Sequence, residues 1–166
     1  MNTKTSRGVR RMTRGALIAS IYVALTYVAS IFGLSSGVIQ FRISEALTIL
    51  PVFMPEAIPG LFIGCIISNL MTPAVHPLDI LFGSLATLIG AILTYLLRNL
   101  PLKWKWVATL PPILANAIIV PFVLMFAYGA EGSYFFFMLT VFIGEAVCAG
   151  IGGVALYFAL RKIKFK

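Results

Sequence analysis

The sequence predicts an all-α membrane protein with six transmembrane helices, one of them short and bounded by prolines, and with both termini in the cytoplasm. Its 166 residues are 60% hydrophobic and only 11% charged, and the mean hydropathy is +1.01. Soluble domains carry about a quarter of their residues as charged side chains, because water must solvate their surface. This chain has too few charges for such a surface, and we expect the lipid bilayer to cover it.

The basic residues indicate the orientation. Apart from Arg42, the lysines and arginines lie before the first apolar run, in one interior loop and at the end of the chain: Lys4, Arg7, Arg10, Arg11 and Arg14; Arg98, Lys103 and Lys105; Arg161, Lys162, Lys164 and Lys166. Excess Lys and Arg in short loops marks the cytoplasmic side. Six passes put all three clusters there, whereas five would leave one basic terminus outside. Basic ends also occur in nucleic-acid-binding proteins, but beside such apolar runs we expect no nucleic-acid partner.

The predicted helices follow the apolar runs, at about Gly15–Phe32, Ile43–Met54, Ile58–Met71, Leu78–Leu97, Trp106–Tyr128 and Tyr134–Leu160. Residues 15–160 then form one membrane domain between basic tails at 1–14 and 161–166. A full span needs about 20 apolar residues. The second segment, bounded by Pro51 and Pro55, has about 12 residues and reaches only about 18 Å. We expect neighbouring helices or a water-accessible cavity to shield it, since its unpaired ends cannot face lipid.

The first apolar run is too long for the hydrophobic region of a secretory signal, and no A-x-A cleavage site follows it. We therefore expect it to remain in the protein as a helix.

Polar side chains concentrate in the predicted outer half of the membrane domain or near its middle: Gln40, Arg42, Glu45, Asn69, His76, Asp79, Asn116 and Glu145. Ionisable groups within spans are costly and usually face a cavity or a partner. A structural role is the alternative for single residues, with Glu45 paired to Arg42 or Asn116 bonded to a neighbouring helix. Their joint placement favours an outward-facing polar pocket.

Other residues predict packing rather than chemistry. Cys65 and Cys148 lack any CxxC or Cys/His spacing, so we expect buried thiols and no metal site. His76 lies between prolines, where a loop role is expected. Gly60-x-x-x-Gly64 and Ala149-x-x-x-Gly153 permit close helix contacts.

A stripe of small side chains follows one face of the first helix. Ala16, Ser20 and Ala24 are spaced by four residues and therefore share that face. Two interpretations are open: ordinary packing within the bundle, or a docking face for another membrane protein.

The chain lacks the common nucleotide-binding and metal-hydrolase motifs. It contains no G-x-x-x-x-G-K-[ST] or H-E-x-x-H, and its halves show no transporter-like internal repeat. We therefore expect a binding subunit without ATPase or other enzymatic activity of its own, which depends on partners and holds no cofactor. A stand-alone membrane enzyme or small exporter is the alternative, although an exporter would be expected to carry an essential acid in the first helix, which has none.

The region around the short helix resembles the QueT family. The likeness is carried by residues 40–48 (QFRISEALT), by Leu50-Pro51 and by residues 55–65 (PEAIPGLFIGC), and Asn69 and Gly144-Glu145 also match. It extends over nearly the whole chain. QueT proteins are substrate-binding S-components of energy-coupling factor (ECF) transporters, assigned to queuosine precursors.

The resemblance implies a six-helix bundle that holds its ligand in the outer loops and outer helix halves. It also implies two kinds of partner, a transmembrane coupling subunit and two cytoplasmic ATPases. S-components generally meet the coupling subunit through an A-x-x-x-A face on the first helix. That face maps onto Ala16 and Ser20, with serine in place of the second alanine.

The ligand class suggests roles for the polar residues. A 7-deazaguanine presents N1–H and an exocyclic amine, two adjacent donors that a carboxylate can accept together. Glu145, semi-buried and without a local cation, is the first choice and Glu45 the second. The other predicted pocket residues are Asn116 or Gln40 for O6 or the ring nitrogens, Asp79 for an aminomethyl cation, Phe41 or Tyr128 for stacking, and Arg42 and Asn69. An S-component for another vitamin-like molecule is the alternative.

Overall fold

The computed structural model describes residues 3–34, 40–72 and 76–163, and this part of the chain is helical without strands. Its main elements are α1 (Thr3–Ile31), a 3₁₀ helix (Ile43–Val52), α2 (Ala57–Met71), α3 (Pro77–Leu96), α4 (Leu110–Phe126) and α5 (Tyr134–Leu160). Shorter 3₁₀ stretches, Leu97–Asn99 and Leu102–Thr109, connect α3 to α4. The predicted turn through Ser35-Ser36-Gly37, the loop at 73–75, and Lys164 and Lys166 lie outside the described residues. The all-α prediction is confirmed.

Within the described residues, four helical stretches are long and apolar enough to cross a membrane: Arg7–Ile31, Pro77–Asn99, Leu102–Phe126 and Tyr134–Leu160. The 3₁₀ helix and α2 are apolar but shorter. The surface carries large exposed apolar side chains such as Phe126 and Phe135, which are 77% and 74% exposed. Exposed apolar area of this kind fits a lipid environment. The six predicted segments all appear as helices, while six complete passes and cytoplasmic termini stay predictions.

The helices pack in chain order around the 3₁₀ helix. α1 contacts α2, α2 contacts α3, α3 contacts α4, and α4 contacts the first half of α5. The 3₁₀ helix lies inside this arrangement against α1, α3 and the second half of α5, and most of its side chains are buried. The expectation that neighbouring helices shield the short segment is therefore confirmed. Pro51 lacks the N–H that a continuing helix would use, and the element ends one residue later.

The helices differ from the prediction most clearly in three of the elements. α1 begins at Thr3 rather than at Gly15, because residues 3–14 contain no proline and arginine is a good helix former. The division into basic tails and a membrane domain stays a prediction. The fifth predicted helix starts as 3₁₀ and becomes α-helical at Leu110, where the following prolines suit the first turn. α5 contains a π-helical stretch, Ala146–Gly152, directly after Glu145.

The small-residue pair Gly60 and Gly64 brings α2 into close contact with α1. A Cβ atom added to Gly60 would lie 2.6 Å from the carbonyl oxygen of Gly15, and one added to Gly64 would lie 2.9 Å from Cβ of Tyr22. On α5, a Cβ added to Gly153 would lie 3.3 Å from Cγ2 of Thr109. Both predicted close contacts are confirmed.

Candidate functional site

Six polar side chains gather inside the bundle near the start of the 3₁₀ helix, and we call them the polar core: Tyr22, Arg42, Glu45, Asn69, Asn116 and Glu145. Arg42 is half-buried, and the other five are at most 5% exposed. They come from α1, α2, α4, α5, the 3₁₀ helix and the residue that precedes it. Buried polar groups need partners, because an unpaired one forfeits its hydration without compensation. The polar atoms that other side chains do not pair are the ones that remain available to a ligand.

Glu45 lies in the first turn of the 3₁₀ helix, where its carboxylate faces α1. The hydroxyl of Tyr22 donates a hydrogen bond to Oε1 of Glu45. One turn further along α1, Oγ1 of Thr26 lies 2.8 Å from Oγ of Ser44. Oε2 of Glu45 is buried and makes no hydrogen bond of good geometry among the described residues, although the side chain of Thr87 is close enough to interact with Glu45.

Tyr22 was not among the predicted site residues, although it contacts Glu45. The available signal was the pair of polar side chains at positions 22 and 26, which lie on one helix face, away from the small-residue stripe.

Arg42 bonds to α2 rather than to Glu45. Its Nη2 lies 2.7 Å from Oδ1 of Asn69, and Nδ2 of Asn69 donates to the carbonyl oxygen of Asp79 over 3.2 Å. Among the described residues, no carboxylate lies within 4.0 Å of the Arg42 guanidinium. The alternative that Glu45 pairs with Arg42 is therefore wrong, since each residue has found a partner on another helix.

Gly83 on α3 gives these groups room to converge. A Cβ atom there would lie 3.2 Å from Nδ2 of Asn69, 3.4 Å from Oδ1 of Asp79 and 4.0 Å from Nη1 of Arg42.

Glu145 and Asn116 face each other between α5 and α4. The two side chains are close enough to interact, but Nδ2 of Asn116 and Oε2 of Glu145 make no hydrogen bond of good geometry within the described residues. Arg42 and Glu45 also interact with Glu145 electrostatically. Arg42 forms no ion pair with Glu145 in the described residues, but the fold brings it from a distant part of the chain into electrostatic range.

The segment before the 3₁₀ helix packs against α5 at the residue that precedes Glu145. The backbone carbonyl of Gln40 packs against Gly144, where any Cβ atom would overlap it. The next residue, Phe41, is held by its backbone N–H, which donates to the carbonyl of Leu34 over 2.7 Å. Gln40 and Phe41 are both half-buried. The glycine at 144 thus permits the close approach of the Gln40 backbone to α5.

Asp79 and Tyr128 form a second, more exposed group. Oη of Tyr128 donates to Oδ2 of Asp79 over 3.1 Å and accepts from the backbone N–H of His76 over 3.3 Å. Nδ1 of His76 accepts from the N–H of Leu78 and caps α3, which confirms its predicted loop role. Tyr128 is 44% exposed. This group joins the polar core through Asn69 but is not buried with it.

The predicted docking residues line a groove between α1 and α2, which we call the α1–α2 groove. It has a volume of about 850 Å³ and includes Ala16, Ser20 and Ala24. All three side chains are exposed, so packing inside this chain does not explain the stripe. The Ser20 hydroxyl donates back to the carbonyl of Ala16 over 2.9 Å, which leaves the groove wall apolar. At one end, Arg14 forms an ion pair of 3.1 Å with Glu56.

The two cysteines are buried free thiols, as predicted. Cys65 lies within the polar core, 3.4 Å from Oγ1 of Thr87 and 3.7 Å from Nδ2 of Asn69. Within the described ranges, no group of three His, Cys, Asp or Glu side chains is arranged to hold a metal ion.

The comparison with known proteins decides the family. The family model described as the QueT transporter matches residues 12–162. The chain belongs to the QueT transporter family. A relative from Lactococcus lactis subsp. cremoris, the queuosine precursor transporter QueT, is 38% identical over 82 residues. That alignment covers 49% of this chain and 47% of the relative, so it spans about half of each. No solved structure matches the chain.

Family membership and the four membrane-length helices of the described residues together make this QueT-family protein a multi-pass membrane protein. The family resemblance noted in the sequence is confirmed.

Proposed function

We propose that this protein is the substrate-binding S-component of an ECF-type importer and that it binds a queuosine precursor of the 7-deazaguanine class from the outer side. The observation that carries the proposal is a set of three buried polar atoms that make no hydrogen bond of good geometry in the described structure: Oε2 of Glu45, Oε2 of Glu145 and Nδ2 of Asn116. Two are acceptors and one is a donor. Buried polar groups are almost always paired, so such a set favours a ligand as the missing partner.

The chemistry of the three atoms complements the ligand class. The guanine-like edge of a 7-deazaguanine presents an N1–H and an amino group as donors and O6 as an acceptor. Glu145 can accept from the two donors, and the adjacent Asn116 amide can donate to O6. Glu45 is the second acceptor, and Tyr22 already occupies its other oxygen. Charge-assisted bonds of this kind are stronger than neutral ones.

The remaining candidates fit secondary roles. Gln40, whose backbone packs against Gly144, and Phe41 are half-buried, and we assign to them a polar contact and an aromatic face for the ligand. Asp79 and Tyr128 lie at the exposed side, where Asp79 suits a cationic aminomethyl substituent. Arg42 and Asn69 hold each other and are assigned to positioning the site. The name of the Lactococcus relative, a queuosine precursor transporter, supports this class of ligand.

The α1–α2 groove supports the second half of the proposal, which is dependence on partners. The groove is apolar, carries the exposed Ala16, Ser20 and Ala24, and lies on the opposite side of α1 from Tyr22. We assign it to the transmembrane coupling subunit, which would link this protein to two cytoplasmic ATPases. Small side chains allow helices of different proteins to approach closely in a membrane.

Ligand identification tests the proposal most directly. The purified protein is expected to release a 7-deazaguanine detectable by mass spectrometry, and calorimetry should show binding of 7-aminomethyl-7-deazaguanine. An analogue that keeps the aminomethyl group but lacks the amino group next to N1 has one donor fewer on the guanine-like edge. It should bind at least tenfold more weakly, because a buried acceptor is then left unpaired. Equal binding of both compounds would contradict the proposed edge recognition. Release of an unrelated vitamin would instead support an S-component of different specificity, and turnover of a substrate would support an enzyme.

A further inference from the structure

A separate cavity lies beside Lys103 and Lys105, and it shares no lining residue with the polar core or the α1–α2 groove. It has a volume of about 380 Å³ and is formed by the 3₁₀ helix, the stretch Leu102–Thr109 and the end of α5. Ile49, 1% exposed, and Tyr157, 9% exposed, form its inner wall. Leu102, Trp106 and Phe158 are about half exposed and form its mouth. The cavity is therefore apolar inside and open to the surroundings of the bundle.

Cations surround the mouth of this cavity. Lys103 and Lys105 belong to its lining, and Nζ of Lys105 is positioned by a hydrogen bond to the carbonyl of Arg98. The guanidinium of Arg161 lies 4.8 Å from the ring centre of Phe158 at the cavity mouth. No carboxylate of the described chain forms an ion pair with any of these cations. The mouth thus carries several positive charges that the protein itself does not neutralise.

The aromatic residues place this region at a membrane interface. Trp104 and Trp106 have ring centres 6.3 Å apart and are both about half exposed. Tryptophan concentrates where lipid headgroups meet hydrocarbon, and basic residues beside it mark the cytoplasmic leaflet, which carries the anionic lipids. An apolar cavity with a cationic, tryptophan-lined mouth at that depth matches a molecule with a negative headgroup and a hydrocarbon chain.

We propose that this cavity binds an anionic phospholipid, with one acyl chain against Ile49, Val154 and Phe158 and the phosphate at Lys103 and Lys105. Basic pockets between helices on the cytoplasmic side are typical binding sites for lipid headgroups. Here the lysines would attract the phosphate, and the apolar wall would contact the acyl chain. The ligand touches both the 3₁₀ helix and α5, which also carry Glu45 and Glu145. The site is independent of the proposed transport ligand.

Native mass spectrometry of the full-length protein tests the proposal. Protein in zwitterionic detergent is titrated with dioleoylphosphatidylglycerol or dioleoylphosphatidylcholine, and we expect retention of the anionic lipid at least tenfold more strongly. The K103Q/K105Q variant should lose this preference by about fivefold for each lysine, the contribution of one basic residue near an anionic surface. The R7Q/R11Q variant removes the same charge from the other basic segment and should keep the preference.

Two further measurements separate what the acyl chain contributes to lipid binding from what the headgroup contributes. Val154→Phe fills the cavity without a change in charge and should weaken phosphatidylglycerol binding, while glycerol 3-phosphate alone should not compete. Equal retention of the two lipids would overturn the proposal, and so would equal losses in K103Q/K105Q and R7Q/R11Q. Full competition by glycerol 3-phosphate would also overturn it, because the site would then bind an anion without a lipid chain. Thermal unfolding of each variant verifies that the comparison is made on folded protein.

Discussion

The hydroxyl of Tyr22 on α1 donates a hydrogen bond to Oε1 of Glu45 on the 3₁₀ helix, and both side chains are completely buried. Cβ of Tyr22 also occupies the space beside Gly64, at the crossing of α1 and α2. The same helix presents Ala16, Ser20 and Ala24 to the α1–α2 groove. Tyr22 therefore connects the carboxylate of Glu45, which we propose as a ligand-binding group, to the helix that forms the candidate docking face.

Replacing Tyr22 with phenylalanine should weaken both the fold and ligand binding. The change removes the donor to a buried carboxylate oxygen, which costs about 1–3 kcal/mol of stability. Affinity for 7-aminomethyl-7-deazaguanine should fall by about tenfold or more, because Glu45 is no longer held in one orientation. Thermal unfolding and calorimetry measure the two effects.

Tyr157→Phe is the matched control for this change. The ring of Tyr157 is buried and stacked on that of Phe53, with 5.2 Å between the two ring centres. Its hydroxyl makes no hydrogen bond in the part of the chain that the structure describes. It should leave both measurements nearly unchanged. Wild-type affinity in Tyr22→Phe would show that the phenol does not position Glu45 for binding.

Glu145→Gln should reduce ligand affinity without preventing folding. The substitution keeps the size of the side chain but turns one acceptor into a donor that faces the ligand's donors. Loss of a charge-assisted pair costs roughly 2–4 kcal/mol, or about 30- to 1000-fold in affinity. Calorimetric titration beside Glu45→Gln tells the two carboxylates apart. A loss confined to Glu45→Gln would move base recognition to the 3₁₀ helix, and unchanged affinity in both variants would make the carboxylates structural.

A bulky residue in the α1–α2 groove should separate binding from transport. Ala16→Leu or Ser20→Leu fills the groove but touches none of the polar core. We expect uptake of the ligand by cells to be abolished, while calorimetry on the purified variant shows the wild-type affinity. Ile143→Leu, at an exposed site on α5 and of equal volume, is the control for altered lipid contacts. If binding and uptake fall together, the stripe serves the bundle itself.

Gly60→Ala should destabilise the crossing of α1 and α2. The new Cβ would lie 2.6 Å from the carbonyl oxygen of Gly15, so the backbones must separate. Overpacking of this kind costs about 1–3 kcal/mol and should lower the thermal unfolding midpoint. Gly150→Ala is the matched control, since its Cβ would lie 3.5 Å from Cδ1 of Ile113, an ordinary contact. Equal midpoints for the two variants would argue against the close crossing.

Cysteine labelling tests the orientation. Ala130→Cys, in the loop before α5, should react with a membrane-impermeant maleimide on intact cells, whereas Lys103→Cys should react only after permeabilisation. Cys65 and Cys148 are buried and should contribute little background. The reversed pattern would contradict cytoplasmic termini and place the polar core on the other side of the membrane.

The sequence by itself determined the class of protein and most of the candidate residues. Low charge and high hydropathy require a lipid-covered surface, and charged or amide side chains in such a chain are too costly to be placed without a role. Glu45, Asn116 and Glu145 could therefore be selected before any contact was known. The four-residue spacing of Ala16, Ser20 and Ala24 likewise follows from helix geometry alone.

Only the tertiary structure decided which of these groups are paired with one another and which make no hydrogen bond within the described residues. Local spacing suggested Arg42 as the partner of Glu45, but the bond comes from Tyr22, 23 positions away in the chain. Asn69, 27 positions from Arg42, takes the guanidinium instead. Buried hydrogen bonds join side chains that packing brings together, and helix packing is a long-range property that periodicity in one segment does not contain. The unpartnered atoms of Glu45, Glu145 and Asn116 could be recognised only once that packing was known.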